Sequence, residues 1–274
     1  MRVRLAAVAG ERLAREMPSG YQRLGRVLII QPPPSLARFD PLLGSAWQKE
    51  LGVETVLVKS GPIRGEFRTP QVRCVAGERT ETDVVEHGIR WRFDAAQIMF
   101  AAGNRTERAR AGRLVQPGET VADLFAGIGY FAIPAARVGE AARVWAVEKN
   151  PVSIRYLREN VILNGVDARV SVIPGDNRTV PLPLASIDRV FLGYLPSSTP
   201  WVERAVSLLR PEGGWLHVHT VADVHAPLSE TVASVERAAE LAGGRRLEPS
   251  VVRVVKPYGP GRHHLVVDAR FAPR

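Results

Sequence analysis

Six residues of this 274-residue chain have types and spacing that can do chemistry together: Asp123, Gly127, Gly129, Glu148, Asp176 and Asn177. The glycines fall in "DLFAGIGYFA", a G-x-G-x-x-A pattern that follows the apolar run "TVADLF". Glycines at such a turn let the backbone pass close to a ligand, and the helix behind them offers its N-terminal N–H groups. Asp123 stands four residues before Gly127, where a carboxylate repels a pyrophosphate but attracts an ammonium. Glu148 closes the next strand-like run, "ARVWAVEKN", where a carboxylate can accept both ribose hydroxyls. Asp176-Asn177 ends the run "VSVIPGDN", with groups suited to the amine and ring edge of adenine. Together they suit S-adenosyl-L-methionine, whose ammonium, carboxylate and sulfonium need acids beside a glycine turn. A dinucleotide is the competing ligand. Spacing does not name the acceptor.

Those residues need strands to end where they stand. From about residue 112 strand-like and helix-like runs alternate: "TVADLF", a helix near 130–138, "ARVWAVEKN", "PVSIRYLRENVILNG", "VSVIPGD", "IDRVFLGYLP", "TPWVERAVSLLRPEG", "GWLHVHTV" and "ADVHAPLSETVASVERAAELAG". Repeated βα units imply a mostly parallel, doubly wound Rossmann-like α/β sheet with ligands at the carboxyl ends of its strands. The last runs, "VVRVVKPYG" and "HHLVVDARF", suggest an antiparallel pair closing one edge. Residues 1–85 mix shorter elements: a helix-like "AGERLAREM", a strand "RVLII", a helix "SLARFDPLLGSAWQKELG" stopped by Gly52, and a strand "ETVLVKS". "TDVVEHGIRWRFD" reads as a hairpin turning at His87-Gly88. The expected organisation is a small α+β domain at 1–85 and a catalytic α/β domain at 86–274.

Net charge is +9, carried almost wholly by arginine, since only four of the 37 basic residues are lysine. Six arginines fall between Arg90 and Arg113. That cluster and the global charge point to a polyanionic partner, RNA foremost. No apolar run is long enough for a membrane span, and no signal peptide is read at the N-terminus. The single cysteine, Cys74, excludes an internal disulfide and fits a reducing, cytoplasmic setting; in its strand-like run a packed thiol is expected.

The segments "FAAGNRTERAR", "DLFAGIGYFAIPAA", "VEKN" and "GDN" resemble the family of tRNA position-37 enzymes, the guanine N1-methyltransferases and their wybutosine-pathway relatives. The resemblance covers residues 85–274 clearly and the N-terminal region more loosely. It implies a methyltransferase-type fold, S-adenosyl-L-methionine as group donor, and the tRNA-Phe anticodon loop as partner, with no membrane and no obligate protein partner. In the family's F-S-x-G-N-x-x-E-R segment the serine and the final basic residue contact the donor. Here they are Ala101, a departure that removes one hydroxyl, and Arg108, which the resemblance assigns to the amino acid carboxylate. Asn104 and Glu107 cap and brace that segment. Glu148, Asp176 and Asn177 match the ribose and adenine positions.

The stretch after the fourth strand separates the family's branches. Methyltransferases carry Asn-Pro-Pro or Asn-Leu-Pro there; "FLGYLPSSTPW" is similar to the Leu-Gly-x-x-Pro-Ser-Ser of the 3-amino-3-carboxypropyl transferases. The resemblance therefore implies transfer of that group to carbon 7 of 4-demethylwyosine, with guanine-37 N1-methylation as the alternative. Gly193, without a side chain, is expected to leave space for a differently posed sulfonium. Arg105, Gly193, Pro196, Ser197 and His219 are the candidate substrate-binding residues. No residue stands out as general base. His217 and His219 share one face of a strand, but no further ligand is spaced to complete a metal site, and none is expected.

Overall fold

A computed structural model describes residues 20–241, 247–248 and 251–272, with 11, 15 and 16 besides. The helix-like "AGERLAREM" falls largely outside the described residues. The chain divides into two compact units, Met1–Ala102 and Gly103–Arg274.

In the first unit, the strands are β1 (Tyr21–Leu24), β2 (Val27–Ile30), β3 (Thr55–Lys59) and β4 (Val72–Ala76), paired in that order, with β-branched residues dominating β2 and β3. β2 and β3 are parallel, so the chain crosses over between them through a 3-10 turn (Pro34–Phe39) and α1 (Asp40–Leu51). The sequence suggests one helix there; it is split because Pro41 has no N–H to continue the bonding from the preceding turn. Leu28, Ile30, Leu43, Trp47, Val56 and Val58 close the core between helix and sheet. Cys74 lies on β4 but is exposed, its thiol facing the carbonyls of Ala76 and Gly77. The packed thiol expected from sequence is thereby corrected. β5 (Glu81–Glu86) and β6 (Ile89–Asp94) form the hairpin read from sequence, with His87 and Gly88 at φ 50 and 77, as a tight turn between twisted strands requires. This hairpin and the segment to Ala102 belong to the first unit, past the 85/86 boundary expected from sequence.

The second unit opens with α2 (Arg105–Leu114) and builds, among the described residues, a seven-stranded sheet. Its strands are β7 (Thr120–Asp123), β8 (Arg143–Glu148), β9 (Val170–Pro174), β10 (Arg189–Leu192), β11 (Gly214–Asp223), β12 (Val251–Gly259) and β13 (Arg262–Phe271). Their spatial order is β12-β13-β11-β10-β7-β8-β9. β9, β8, β7, β10 and β11 are parallel, and β13 enters antiparallel between β11 and the edge strand β12. The chain reverses its direction of travel between β7 and β10, which places the ligand-binding crevice above their carboxyl ends. The helices are α3 (Ala132–Arg137), α4 (Pro151–Leu163), α5 (Val202–Leu208) and α6 (Leu228–Leu241). Three are shorter than the sequence suggests. Tyr130 and Phe131 stay in the glycine turn, Thr199–Trp201 is 3-10, and Ala222-Asp223 continue β11 before Pro227 admits a helix. Strand residues such as Val147, Val190, Leu192, Leu216 and Val218 are fully buried, as central parallel strands covered on both faces must be.

Candidate functional site

The glycine turn is held from below. Gly127 adopts φ 57, where a side chain is strained, and a Cβ there would also stand 2.8 Å from the Tyr130 ring. Its N–H donates to Glu148 Oε2 at 2.7 Å, tying the turn after β7 to the end of β8. Asp123 lies underneath with 0% exposure. One carboxylate oxygen accepts the N–H of Phe125 (3.3 Å) and the other that of Ala132 (3.1 Å). Burial, aided by the nearby charge of Glu148, pushes its pKa up to about 7 against those backbone donors. The expected acid at the mouth of the loop is instead an internal brace.

The second and third strand ends carry acceptors with capacity left over from the fold's own hydrogen bonds. Half-buried Glu148 accepts at Oε1 from the N–H groups of Lys149 (2.9 Å) and Asn150 (2.7 Å), besides Gly127 at Oε2. A carboxylate has about four acceptor sites, so about one remains for a ribose hydroxyl. Burial raises its pKa and these three donors oppose the rise. Asp176 is held down by the N–H of Arg178 and by Lys149, whose Nζ lies 3.3 Å from Oδ2. Asn177 is buried; its Nδ2 donates to Leu124 O at 2.7 Å, while Oδ1 has no partner. A buried orphan acceptor costs about 1–3 kcal/mol. It fits the exocyclic amine of adenine, so the residues present suit the adenosine end of S-adenosylmethionine. Beside them Phe125 stacks on Tyr194 (5.2 Å) and meets Trp201 edge-on (5.0 Å), with Arg178 over Trp201 (5.4 Å). This aromatic group was not legible in sequence, because its members come from three separate loops.

The other side of the site is built on α2. Arg108 is buried and lies over the Tyr130 ring at 5.7 Å, facing the glycine turn. Arg105 is exposed at the start of the helix. Asn104 occupies the N-cap position without a side-chain capping bond, and Glu107 does not cap either. Glu107 instead accepts two hydrogen bonds from Arg110 (2.6 and 2.9 Å), and Arg110 also grips Asp268 of β13 (2.8 and 3.2 Å). Asp268 accepts from His217 (2.6 Å); the other ring nitrogen of His217 meets Arg189 (2.8 Å), which pairs with Glu119 (2.7 Å). Bonded to both His217 and Arg110, Asp268 is held down at about 2 although burial alone would raise it. Sequence reasoning found the two histidines but not this chain of ion pairs. Only the Glu107–Arg110 spacing of three, one helical turn, was a local signal.

His219 is 2% exposed, one place past the level where Val218 pairs with Leu192, so it lies beside Gly193. Its ring stacks on Phe131 at 5.1 Å, its Nδ1 meets His264 Nε2 at 2.8 Å, and its pKa is pushed down to about 3 by burial, His217 and Arg110. A Cβ on Gly193 would stand 2.8 Å from Phe131 Cε2. The space expected above Gly193 is therefore filled by the Phe131 ring, a residue the sequence reading did not single out. Pro196 is exposed and Ser197 half-buried; their loop is tied to β11 by Val221 N–H to Pro196 O (2.7 Å) and Ser198 N–H to His219 O (2.9 Å). Among the described residues no group of three or more His, Cys, Asp or Glu is placed to hold a metal ion.

This strand order, with a glycine turn after its central strand and an acid at the next strand end, defines an α/β domain of the S-adenosylmethionine-dependent methyltransferase type. Residues 82–245 match the TRM5/TYW2 methyltransferase domain and residues 1–80 the TYW2 N-terminal domain; the chain belongs to this family. It is 34% identical to a tRNA(Phe) (4-demethylwyosine(37)-C(7)) aminocarboxypropyltransferase of Pyrococcus horikoshii, over 95% of this chain and 92% of that one. It is 33% identical to a tRNA (guanine(37)-N(1))-methyltransferase, Trm5b, of Pyrococcus abyssi, over 96% of this chain and 78% of the other. A crystal structure of Pyrococcus horikoshii TYW2 in complex with MeSAdo superposes with a TM-score of 0.88 at 30% identity, covering 100% of both chains.

Proposed function

We propose that the chain transfers the 3-amino-3-carboxypropyl group of S-adenosylmethionine to carbon 7 of 4-demethylwyosine at position 37 of tRNA-Phe, in the cytoplasm. The observation that carries this reading is the Phe131 ring packed against Gly193: no side chain, and so no methyltransferase-type asparagine, fits at 193 without displacing it. Identity with the Pyrococcus horikoshii aminocarboxypropyltransferase over nearly the whole of both chains supports it.

The bound donor would supply a sulfonium flanked by three activated carbons, and the protein decides which of them meets the base. Asn177 Oδ1 and the remaining acceptor site of Glu148 hold the adenosine, with Asp176 beside them. Gly127 keeps the turn close to the ligand, and Arg108, behind Tyr130, is the candidate for the donor's carboxylate. Arg105, Gly193, Pro196 and Ser197 are proposed to face the base and its anticodon loop. The net charge of +9 supports tRNA binding through phosphate contacts.

The test is to incubate the protein with S-adenosylmethionine and tRNA-Phe carrying 4-demethylwyosine, and to identify the sulfur product by mass. Methylthioadenosine is expected. Adenosylhomocysteine would mean methyl transfer and overturn the reading.

A further inference from the structure

The ammonium of the donor's amino acid end needs acceptors, and Asp123, the acid nearest the glycine turn in sequence, already accepts a backbone N–H at each carboxylate oxygen. Two other acceptors face one another on the opposite side of the site. His219 Nε2 is buried and has no hydrogen-bond partner, and it lies 4.0 Å from Glu107 Oε1. That distance is too long for a hydrogen bond between them. It also brings a group donating to both within about 2.9 Å of each. Through Nδ1, His219 is engaged with His264, which leaves Nε2 as the lone-pair nitrogen when Nδ1 carries the proton. Glu107 Oε1 accepts from Arg110 and keeps a further lone pair.

Burial drives His219 toward the neutral form, which keeps Nε2 an acceptor when Nδ1 carries the proton. The position is suited to a ligand, since His219 lies beside Gly193 at the carboxyl end of β10 and stacks on the Phe131 ring packed against that glycine.

We propose that His219 Nε2 and the Glu107 carboxylate together hold the ammonium of the aminocarboxypropyl group. His219 is thus a binding residue that selects which arm of the sulfonium is fixed and which is turned away. The inference rests on S-adenosylmethionine being the donor. It would fix the transferred arm at both its polar groups, the ammonium here and the carboxylate at Arg108.

The test is calorimetric and needs no turnover. S-adenosylmethionine and methylthioadenosine share the adenosine but only the first has an ammonium. His219→Asn keeps a polar group where Nδ1 stands and removes Nε2, whereas His219→Gln keeps one near Nε2. The Asn variant is expected to lose roughly tenfold to a hundredfold in affinity for S-adenosylmethionine. Its affinity for methylthioadenosine should stay within about twofold, and the Gln variant should recover most of the loss. Equal loss toward both ligands would mean a structural role, and no loss toward either would mean that only water bridges the pair; both overturn the proposal. A second measurement uses the unaltered protein, in case His219→Asn does not fold. A donor analogue lacking the amino group should bind about tenfold more weakly than S-adenosylmethionine, and equal binding overturns the proposal. Adenosylhomocysteine as the reaction product would sink the proposed transfer while leaving these affinity comparisons to decide the role of His219.

Discussion

The two sides of the site are built by different physics. On the side proposed to hold the adenosine, Glu148, Asp176 and Asn177 stand at or just past a strand end, and backbone groups hold each of them. On the side proposed to hold the amino acid end, Glu107, Arg110, Asp268, His217 and Arg189 hold one another, side chain to side chain, across α2, β10, β11 and β13. The first arrangement is made by backbone just past the ends of β7, β8 and β9. The second exists only once distant parts of the chain have packed and left water. A change on the adenosine side should therefore weaken a ligand and spare the fold, whereas a change on the other side should threaten the fold itself.

The largest effect tests that contrast directly. Arg110→Met leaves Glu107 and Asp268 buried without their shared partner, a loss of about 3–5 kcal/mol in unfolding free energy. Urea denaturation of the two proteins measures it, and a loss below about 1 kcal/mol would show the network to be solvated. Asp123 comes next, because it braces the turn that both sides share. Its folded pKa of about 7 lies above the unfolded value of 3.8, so between these pH values the folded state keeps a proton that the unfolded chain has released. The stability it contributes is present below the lower value and is lost as pH rises to the upper one, by at most about 1.4 kcal/mol per pH unit. Asp123→Asn removes this slope. Denaturation between pH 4 and pH 8 should show the difference between wild type and variant shrinking as pH rises. A constant difference would mean that Asp123 is ionised in the folded protein.

The same contrast explains what the sequence revealed. The alternation of apolar runs was enough for the doubly wound sheet and the antiparallel closing pair, and His87-Gly88 for the hairpin, because periodicity and turn chemistry are local. Glu148 and Asp176-Asn177 were legible for the same reason: a polar residue ending an apolar run marks a strand end. Asp123 has that signature too, and its burial beneath the turn was not legible because nothing local reveals which way a strand-end side chain faces. Asp268 paired with His217, and Phe131 lying on Gly193, depend on packing between elements far apart in the chain. Gly193 was singled out by resemblance, but the reason for its small size, the Phe131 ring, came only from the structure.

On the adenosine side, Glu148→Ala should weaken S-adenosylmethionine and methylthioadenosine alike, by about 2 kcal/mol for one charge-assisted bond. It also frees Gly127 from its anchor, so the turn loosens while the sheet stays folded. Calorimetry with both ligands, beside a thermal melt, checks this. Loss toward S-adenosylmethionine alone would place Glu148 on the amino acid side and break the division drawn here.

The smallest expected effect probes the boundary between the two sides. Gly193→Ala adds one methyl group 2.8 Å from Phe131 Cε2, closer than packed carbons approach. The ring must move, and its neighbours Phe191 (5.3 Å) and His219 (5.1 Å) limit where it can go. Overpacking of this kind costs about 1 kcal/mol or more in stability. The consequence for the reaction should be larger than for binding of the adenosine, because displacing Phe131 disturbs His219 but not Glu148 or Asn177. Single-turnover transfer is expected to fall several-fold while methylthioadenosine affinity holds. Phe131→Leu in the same chain gives the methyl group room, and partial recovery of stability in the double variant would show that Gly193 is small for the sake of the ring. Without recovery, the restriction at 193 comes from another neighbour, and Phe131 is not what links the glycine to the transferred arm.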